Sequence, residues 1–142
     1  MTSILQSRVL IDGAATGRAL VLNGPLSLWG GLDPRSGRII DPRHAQFGEV
    51  VTDRVLVLPY GRGSSSSSSI LLEAVRLGTA PAAIITLETD GILALGAVVA
   101  REMYGNCPPV LVLGGGEYDR LVDGAVVEIE LGGVVRLQPG VA

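Results

Sequence analysis

The chain has 142 residues, nearly half of them apolar, and a formal net charge of −3. That length can bury a real core, and residues 1–142 read as one domain. Its longest apolar runs fall short of the roughly 18 to 20 residues that span a bilayer. All eleven basic residues are arginine and they are scattered, so neither a membrane nor a nucleic acid is an expected partner.

The start, Met1-Thr-Ser-Ile-Leu-Gln-Ser-Arg8, lacks a basic segment followed by an apolar one. No signal peptide is expected, and a cytoplasmic location is the default. Arg18–Leu22 reads as an early strand, and Leu26–Trp29 as a second after the turn at Asn23-Gly-Pro25. Gly30–Gly37 is a loop with turn signals at Asp33-Pro34 and Ser36-Gly37, and another turn lies at Asp41–His44. Phe47-Gly-Glu49 leads toward the apolar strand Val55–Leu58, closed by Pro59. A helix is expected from about Ser66 to Leu77 with Gly78 as its stop, then a buried strand over Pro81–Thr86. Asp90 caps a second helix, Ile92–Tyr104, ended by Gly105. Pro108-Pro109 introduces the strand Val110–Leu113. The tail is a hairpin of Ala125–Leu131 and Val134–Leu137 around Gly132-Gly133. This order predicts an α/β fold in which a mixed, barrel-like β layer carries two helices, too few for a doubly wound nucleotide fold.

The most informative segment is the glycine- and serine-rich run Tyr60-Gly-Arg-Gly-Ser-Ser-Ser-Ser-Ser-Ser69. It lies between an apolar strand and a helix, where backbone N–H groups and the helix dipole favour an anion or an activated hydroxyl. A serine-rich linker is the bland alternative, but linkers separate domains and this run separates two well-patterned elements. Serines at a helix start also satisfy free N–H groups, a structural role that suits Ser65 or Ser66. A phosphate loop is excluded because it needs a lysine, and the dinucleotide fingerprint lacks its third glycine. A serine hydrolase would have to use His44, the one histidine; the Gly-x-Ser-x-Gly spacing is absent, and His44 lies in a turn-rich segment. Cys107 is the one cysteine, which excludes an internal disulfide and, with one histidine, a self-contained His/Cys metal site.

The residues 60–65, Tyr-Gly-Arg-Gly-Ser-Ser, resemble the Tyr-Gly-x-Gly-Ser-Ser turn of the swivelling domain of the aconitase superfamily. Leu28-Trp-Gly-Gly-Leu-Asp-Pro34, Gly37-Arg-Ile-Ile-Asp-Pro-Arg-His44, Gly48-Glu49 and Gly78-Thr-Ala-Pro-Ala-Ala-Ile-Ile85 follow in order around it. Together they resemble the small subunit of the aconitase X group over roughly Gly17 to Val112. The resemblance implies a swivelling β/β/α domain in a hydro-lyase split over two chains. The large subunit, in a heterodimer or higher assembly, would carry an iron–sulfur cluster, and this chain would be active only with it. Carried over residue by residue, Ser64 is the base that removes a proton next to a carboxylate. Arg62, Gly63, Ser65 and Ser66 contact the substrate. A free serine hydroxyl is a very poor base, so its alkoxide needs backbone N–H donors, the helix start and an arginine, for which Arg62 is nearest. The arginine that follows the two serines in aconitase is replaced here by Ser66, which implies a different hydroxy acid. The family includes dehydratases of cis-3-hydroxy-L-proline and of mevalonate 5-phosphate, and the Gly-Arg-Gly-Ser-Ser-Ser form points to the former.

A non-catalytic swivelling or binding module is the rival reading. Of the other polar residues, Asp33 and Asp41 read as turn formers before proline and Asp90 as a helix cap. Glu88 stands at a strand end where a sheet opens to a site. Trp29 reads as core, or as lining an interface or pocket.

Overall fold

A computed structural model describes residues 3–62 and 65–138. The described residues form ten strands, β1 (Ser3–Gln6), β2 (Arg8–Ile11), β3 (Ala15–Val21), β4 (Leu32–Asp33), β5 (Arg38–Ile39), β6 (Val55–Leu58), β7 (Ala83–Thr86), β8 (Val110–Val112), β9 (Val126–Glu130) and β10 (Val134–Leu137). Their helical segments are α1 (Leu28–Gly31), α2 (Ser67–Leu77), α3 (Gly91–Tyr104) and α4 (Gly115–Tyr118).

Eight strands make one sheet in the order β1-β10-β9-β3-β6-β7-β8-β2. Strands β3, β6, β7 and β8 run parallel, because α2 and α3 supply the crossovers between β6, β7 and β8. The β9–β10 hairpin and β1 form the antiparallel half. Strand β3 joins the halves: Ala15–Arg18 pair with β9, and Ala19–Val21 pair with β6. The two outermost strands, β1 and β2, are consecutive in the chain with only Ser7 between them. The sheet therefore curls until its edges meet in a nearly closed barrel. At that corner the Ser7 N–H and Oγ–H both donate to the Gly133 carbonyl, at 2.9 and 2.8 Å.

Strand alternation sorts the apolar side chains into two cores. Val55 and Val57 of β6 and Ala83 and Ile85 of β7 point into the barrel with Leu111, Val127, Ile129 and Val135. Leu56, Leu58 and Ile84 face the other way, against Leu71 of α2 and Leu93 and Ala97 of α3. Every residue of β6 is at most 1% exposed, as expected of a central parallel strand covered on both faces. Full burial of each such side chain stabilises by about 1.5–3 kcal/mol. Helix α2 buries Ser67, Leu71, Ala74 and Val75, and α3 buries Leu93, Gly96, Ala97 and Ala100, both at helical spacing. Gly78 and Gly105, at φ 77° and 79°, end the two helices as the sequence predicts.

The segment Leu26–Trp29 departs from its expected strand. Leu26 makes a single parallel bridge to Gly61, and Leu28–Gly31 is one turn interrupted by extended Trp29 (ψ 111°) and left-handed Gly30 (φ 79°). Leu26 and Leu28 are buried while Ser27 and Trp29 are not; the alternation that suggested a strand is that of a loop that seats Leu26 and Leu28 in the helix-side core. Trp29 is 57% exposed, so it is not core.

Candidate functional site

Strands β6 and β7 end side by side, and the segments leaving their carboxyl ends build one site. From Leu58 the chain runs through Pro59-Tyr60-Gly61-Arg62 toward α2, and from Thr86 through Leu87–Thr89 toward α3. The carboxyl ends of parallel strands, with two helix N-termini beside them, are where an open α/β sheet ordinarily binds its ligand. The two segments are tied together, since the Leu87 and Glu88 N–H groups donate to the Pro59 carbonyl at 3.2 and 3.1 Å. The Thr86 hydroxyl donates to the Glu88 carbonyl at 2.6 Å, folding the second segment back.

Asp90 sits where they meet and is 9% exposed. Its Oδ1 accepts from the Ile92 and Leu93 N–H groups, both at 3.0 Å, capping α3 as expected. Its Oδ2 accepts from the Gly61 N–H at 2.7 Å. The next amide, that of Arg62, donates to the Leu26 carbonyl at 3.2 Å. The capping role was legible from an aspartate before a helical pattern; the bond to Gly61 was not.

The serines are not equivalent. Gly63 and Ser64 lie outside the described residues. Ser65 and Ser66 form the turn before α2, and their carbonyls accept the hydroxyls of Ser68 (2.8 Å) and Ser69 (2.7 Å). Ser67 is buried, and its Oγ accepts from the Trp29 N–H at 3.2 Å, pinning the Leu26–Gly31 loop to the helix start. Gly96 of α3 lies so near Ser68 that a Cβ there would stand 2.8 Å from the Ser68 carbonyl oxygen.

Arg62 is exposed and borders two hollows. A crevice of about 10 Å³, room for about one water, lies between Arg62, Ser67, Asp90 and the apolar side chains of Leu28 and Ile92. A polar cleft of about 510 Å³ opens on its other side, lined by Asn23, Ser27, Asp41, Arg43, His44 and Arg62. The larger cleft is the one that can take a small metabolite. Asp41 is a turn former there: its carboxylate accepts from the Arg43 N–H at 3.0 Å. That bond holds its pKa below the ordinary value. Asp33 does the same with the Arg35 N–H at 3.0 Å, aided by the Ser36 hydroxyl.

His44 does not have the surroundings of a hydrolase base. Its Nδ1 accepts from the Gln46 N–H at 3.0 Å, the position a triad carboxylate would occupy. Its Nε2 is buried with no hydrogen-bond partner among the described residues. Cys107 precedes β8 at the opposite ends of the strands, in a hollow with Asp53, Pro81 and Pro108. Burial pushes its thiol above the ordinary value. Among the described residues no group of three or more His, Cys, Asp or Glu side chains could hold a metal. With a lone, thiol-stabilised cysteine at the far end, the residues present do not fit an iron–sulfur cluster. No described helix is long and apolar enough to cross a membrane.

A family model of the aconitase X swivel domain matches residues 4–137. The chain belongs to that family. The aconitase X crystal structure of Thermococcus kodakaraensis in its holo-form superposes with a TM-score of 0.85 at 29% identity, over 96% of this chain and 99% of that one. This likeness bears out the expected swivelling α/β fold with its barrel-like sheet and two main helices. A cis-3-hydroxy-L-proline dehydratase of Pseudomonas aeruginosa is 47% identical over 111 residues, 78% of this chain and 19% of that relative. A phosphomevalonate dehydratase small subunit of Methanosarcina acetivorans is 35% identical over 125 residues, 88% of this chain and 83% of that subunit. The chain thus spans about a fifth of the first relative's length and most of the second's.

Proposed function

We propose that this chain is the serine-bearing swivelling part of an aconitase X-type dehydratase, acting on cis-3-hydroxy-L-proline. The observation that carries the substrate is the 47% identity with a dehydratase of that name, against 35% with the phosphomevalonate dehydratase subunit. The match to most of that subunit's length supports a separate large subunit as partner. Residues 1–142 are read as one swivelling unit within the assembly. The iron–sulfur cluster that the family implies belongs on the partner, and no step is routed through it here.

In this reading the Ser64 Oγ, as alkoxide, takes the proton from the substrate carbon that bears the carboxylate. The electron pair left behind forms a double bond to the neighbouring carbon as the C–O bond there breaks; the hydroxide that leaves takes a proton from solvent and becomes water. The product is an enamine that isomerises to a Δ1-pyrroline carboxylate. Ser64 stands two residues before the N-cap of the eleven-residue helix α2, and the positive end of that helix favours the alkoxide. Arg62, with Gly63, Ser65 and Ser66, receives the substrate carboxylate from the cleft side, where a guanidinium suits it.

The test is co-expression with the large partner and dehydration assays on cis-3-hydroxy-L-proline and on mevalonate 5-phosphate. Ser64→Ala is expected to lower turnover by roughly 100-fold or more while the chain still folds and binds its partner. Near wild-type turnover in that variant would overturn the role of Ser64. Turnover of mevalonate 5-phosphate alone would reassign the substrate.

A further inference from the structure

We propose that Asp90 is a positioning residue for the segment that leaves β6, and that its second carboxylate oxygen sets where Gly61 and Arg62 stand during turnover. The inference rests on the proposed dehydratase reading for its kinetic consequence but not for its geometry. A helix cap needs one acceptor, and Oδ1 alone takes both the Ile92 and Leu93 N–H groups. Serine or asparagine would cap as well as aspartate does. Only a carboxylate has a second oxygen free of hydrogen, and here it binds the Gly61 N–H at 2.7 Å, 29 residues upstream.

The loop has been shaped to receive it. A Cβ on Gly61 would stand 2.5 Å from Asp90 Oδ2, so any side chain there displaces the carboxylate or the loop. On its other side the loop is held by the bridge of Gly61 to Leu26 and by the Arg62 N–H bond to the Leu26 carbonyl. Asp90 therefore couples the start of α3 to the backbone two residues before Gly63.

Two substitutions separate this role from capping. Asp90→Asn keeps an oxygen for the α3 amides but turns an NH2 group toward the Gly61 N–H. Gly61→Ala keeps the Asp90 carboxylate and presses on Oδ2 from the loop side, with Leu93 protection reporting whether the cap survives, so it decides the matter even if Asp90→Asn folds poorly. Amide hydrogen exchange on the full chain is the first readout. Both variants should speed exchange in the Gly61–Arg62 segment by about tenfold or more, while Leu93 stays protected. Kinetics of the assembled enzyme are the second. Because a displacement of about 1 Å can cost about 100-fold, each variant should lower kcat roughly 10- to 100-fold with KM within about threefold. Asp90→Ser should match Asp90→Asn, although serine caps normally.

Unchanged exchange at Gly61 in both variants overturns the tie itself. Faster exchange with kcat at the wild-type value overturns its bearing on turnover. If the wild-type assembly dehydrates neither substrate, the dehydratase reading fails, and the exchange result still decides whether Asp90 holds the loop.

Discussion

At the scale of single residues, the serine run shows how identical side chains acquire different worth from burial alone. Ser69 is exposed, and its hydroxyl bonds a carbonyl of its own turn; water can replace that bond. Ser67 is 5% exposed and its oxygen serves the Trp29 N–H, 38 residues away. Removing that acceptor leaves a partly buried N–H unpaired, which costs about 1–3 kcal/mol. Ser67→Ala should therefore lower stability in urea titration by about 1 kcal/mol or more, while Ser69→Ala should stay within about 0.5 kcal/mol of wild type. Equal effects of the two would show that the Leu26–Gly31 loop is not pinned through Ser67. The same contrast explains Asp90 against Asp41: one carboxylate spans two elements, the other bonds only within its own turn.

At the scale of elements, α2 and α3 are locked together by what their facing residues lack. Gly96, Ala97 and Ala100 are the small residues of the buried face of α3, and at Gly96 the backbone of Ser68 comes closer than ordinary contact distance to where a Cβ would be. In an open helix, replacing glycine by alanine stabilises by about 1 kcal/mol. Here the new carbon would stand 2.8 Å from a backbone oxygen and 3.1 Å from the Ser68 Cα, and backbone cannot rotate aside as a side chain would. Overpacking wins, so Gly96→Ala should destabilise by about 1–3 kcal/mol. Gly91→Ala, where a Cβ meets nothing within 4 Å, should be neutral or slightly stabilising. A stabilised Gly96→Ala would mean that the helices can part at no cost. Because Ser68 lies in the first turn of α2, that clash also pushes on the serine loop, linking helix packing to the site.

At the scale of the whole molecule, closure of the barrel and the pH dependence of stability both follow from what is shut away from water. Burial raises the Cys107 thiol above its ordinary 9.0. Burial first, and Asp119 second, push the Tyr118 phenol up to about 12. Both groups keep their protons longer in the folded chain than in the unfolded one. Their contribution is complete below the unfolded values and is lost as pH rises from about 9 through the folded values. Urea midpoints should hold steady between about pH 7 and 8.5 and fall by about pH 10.5, and Cys107→Ala with Tyr118→Phe should flatten that fall. A midpoint that rises above pH 9 would contradict the assigned environments.

The sequence by itself determined whatever local periodicity and end signals can carry. The apolar strands Val55–Leu58 and Val110–Val112, the two helices with Gly78 and Gly105 as stops, the Asp90 cap and the hairpin at Gly132-Gly133 all stand where pattern and composition put them. The family likewise was written in short motifs that the matched residues 4–137 contain. Tertiary structure alone decided the rest. Strands β1 and β2 are short and only partly apolar, and they exist because β10 and β8 offer them partners about a hundred residues away or more; no local preference announces such a pairing. Leu26–Trp29 has a strand's alternation but only one bridge, so it became a loop packed on the helix-side core. The second oxygen of Asp90 found Gly61 for the same reason: a cap is a matter of neighbours in the chain, but a tie between two loops exists only once the sheet has brought the ends of β6 and β7 together.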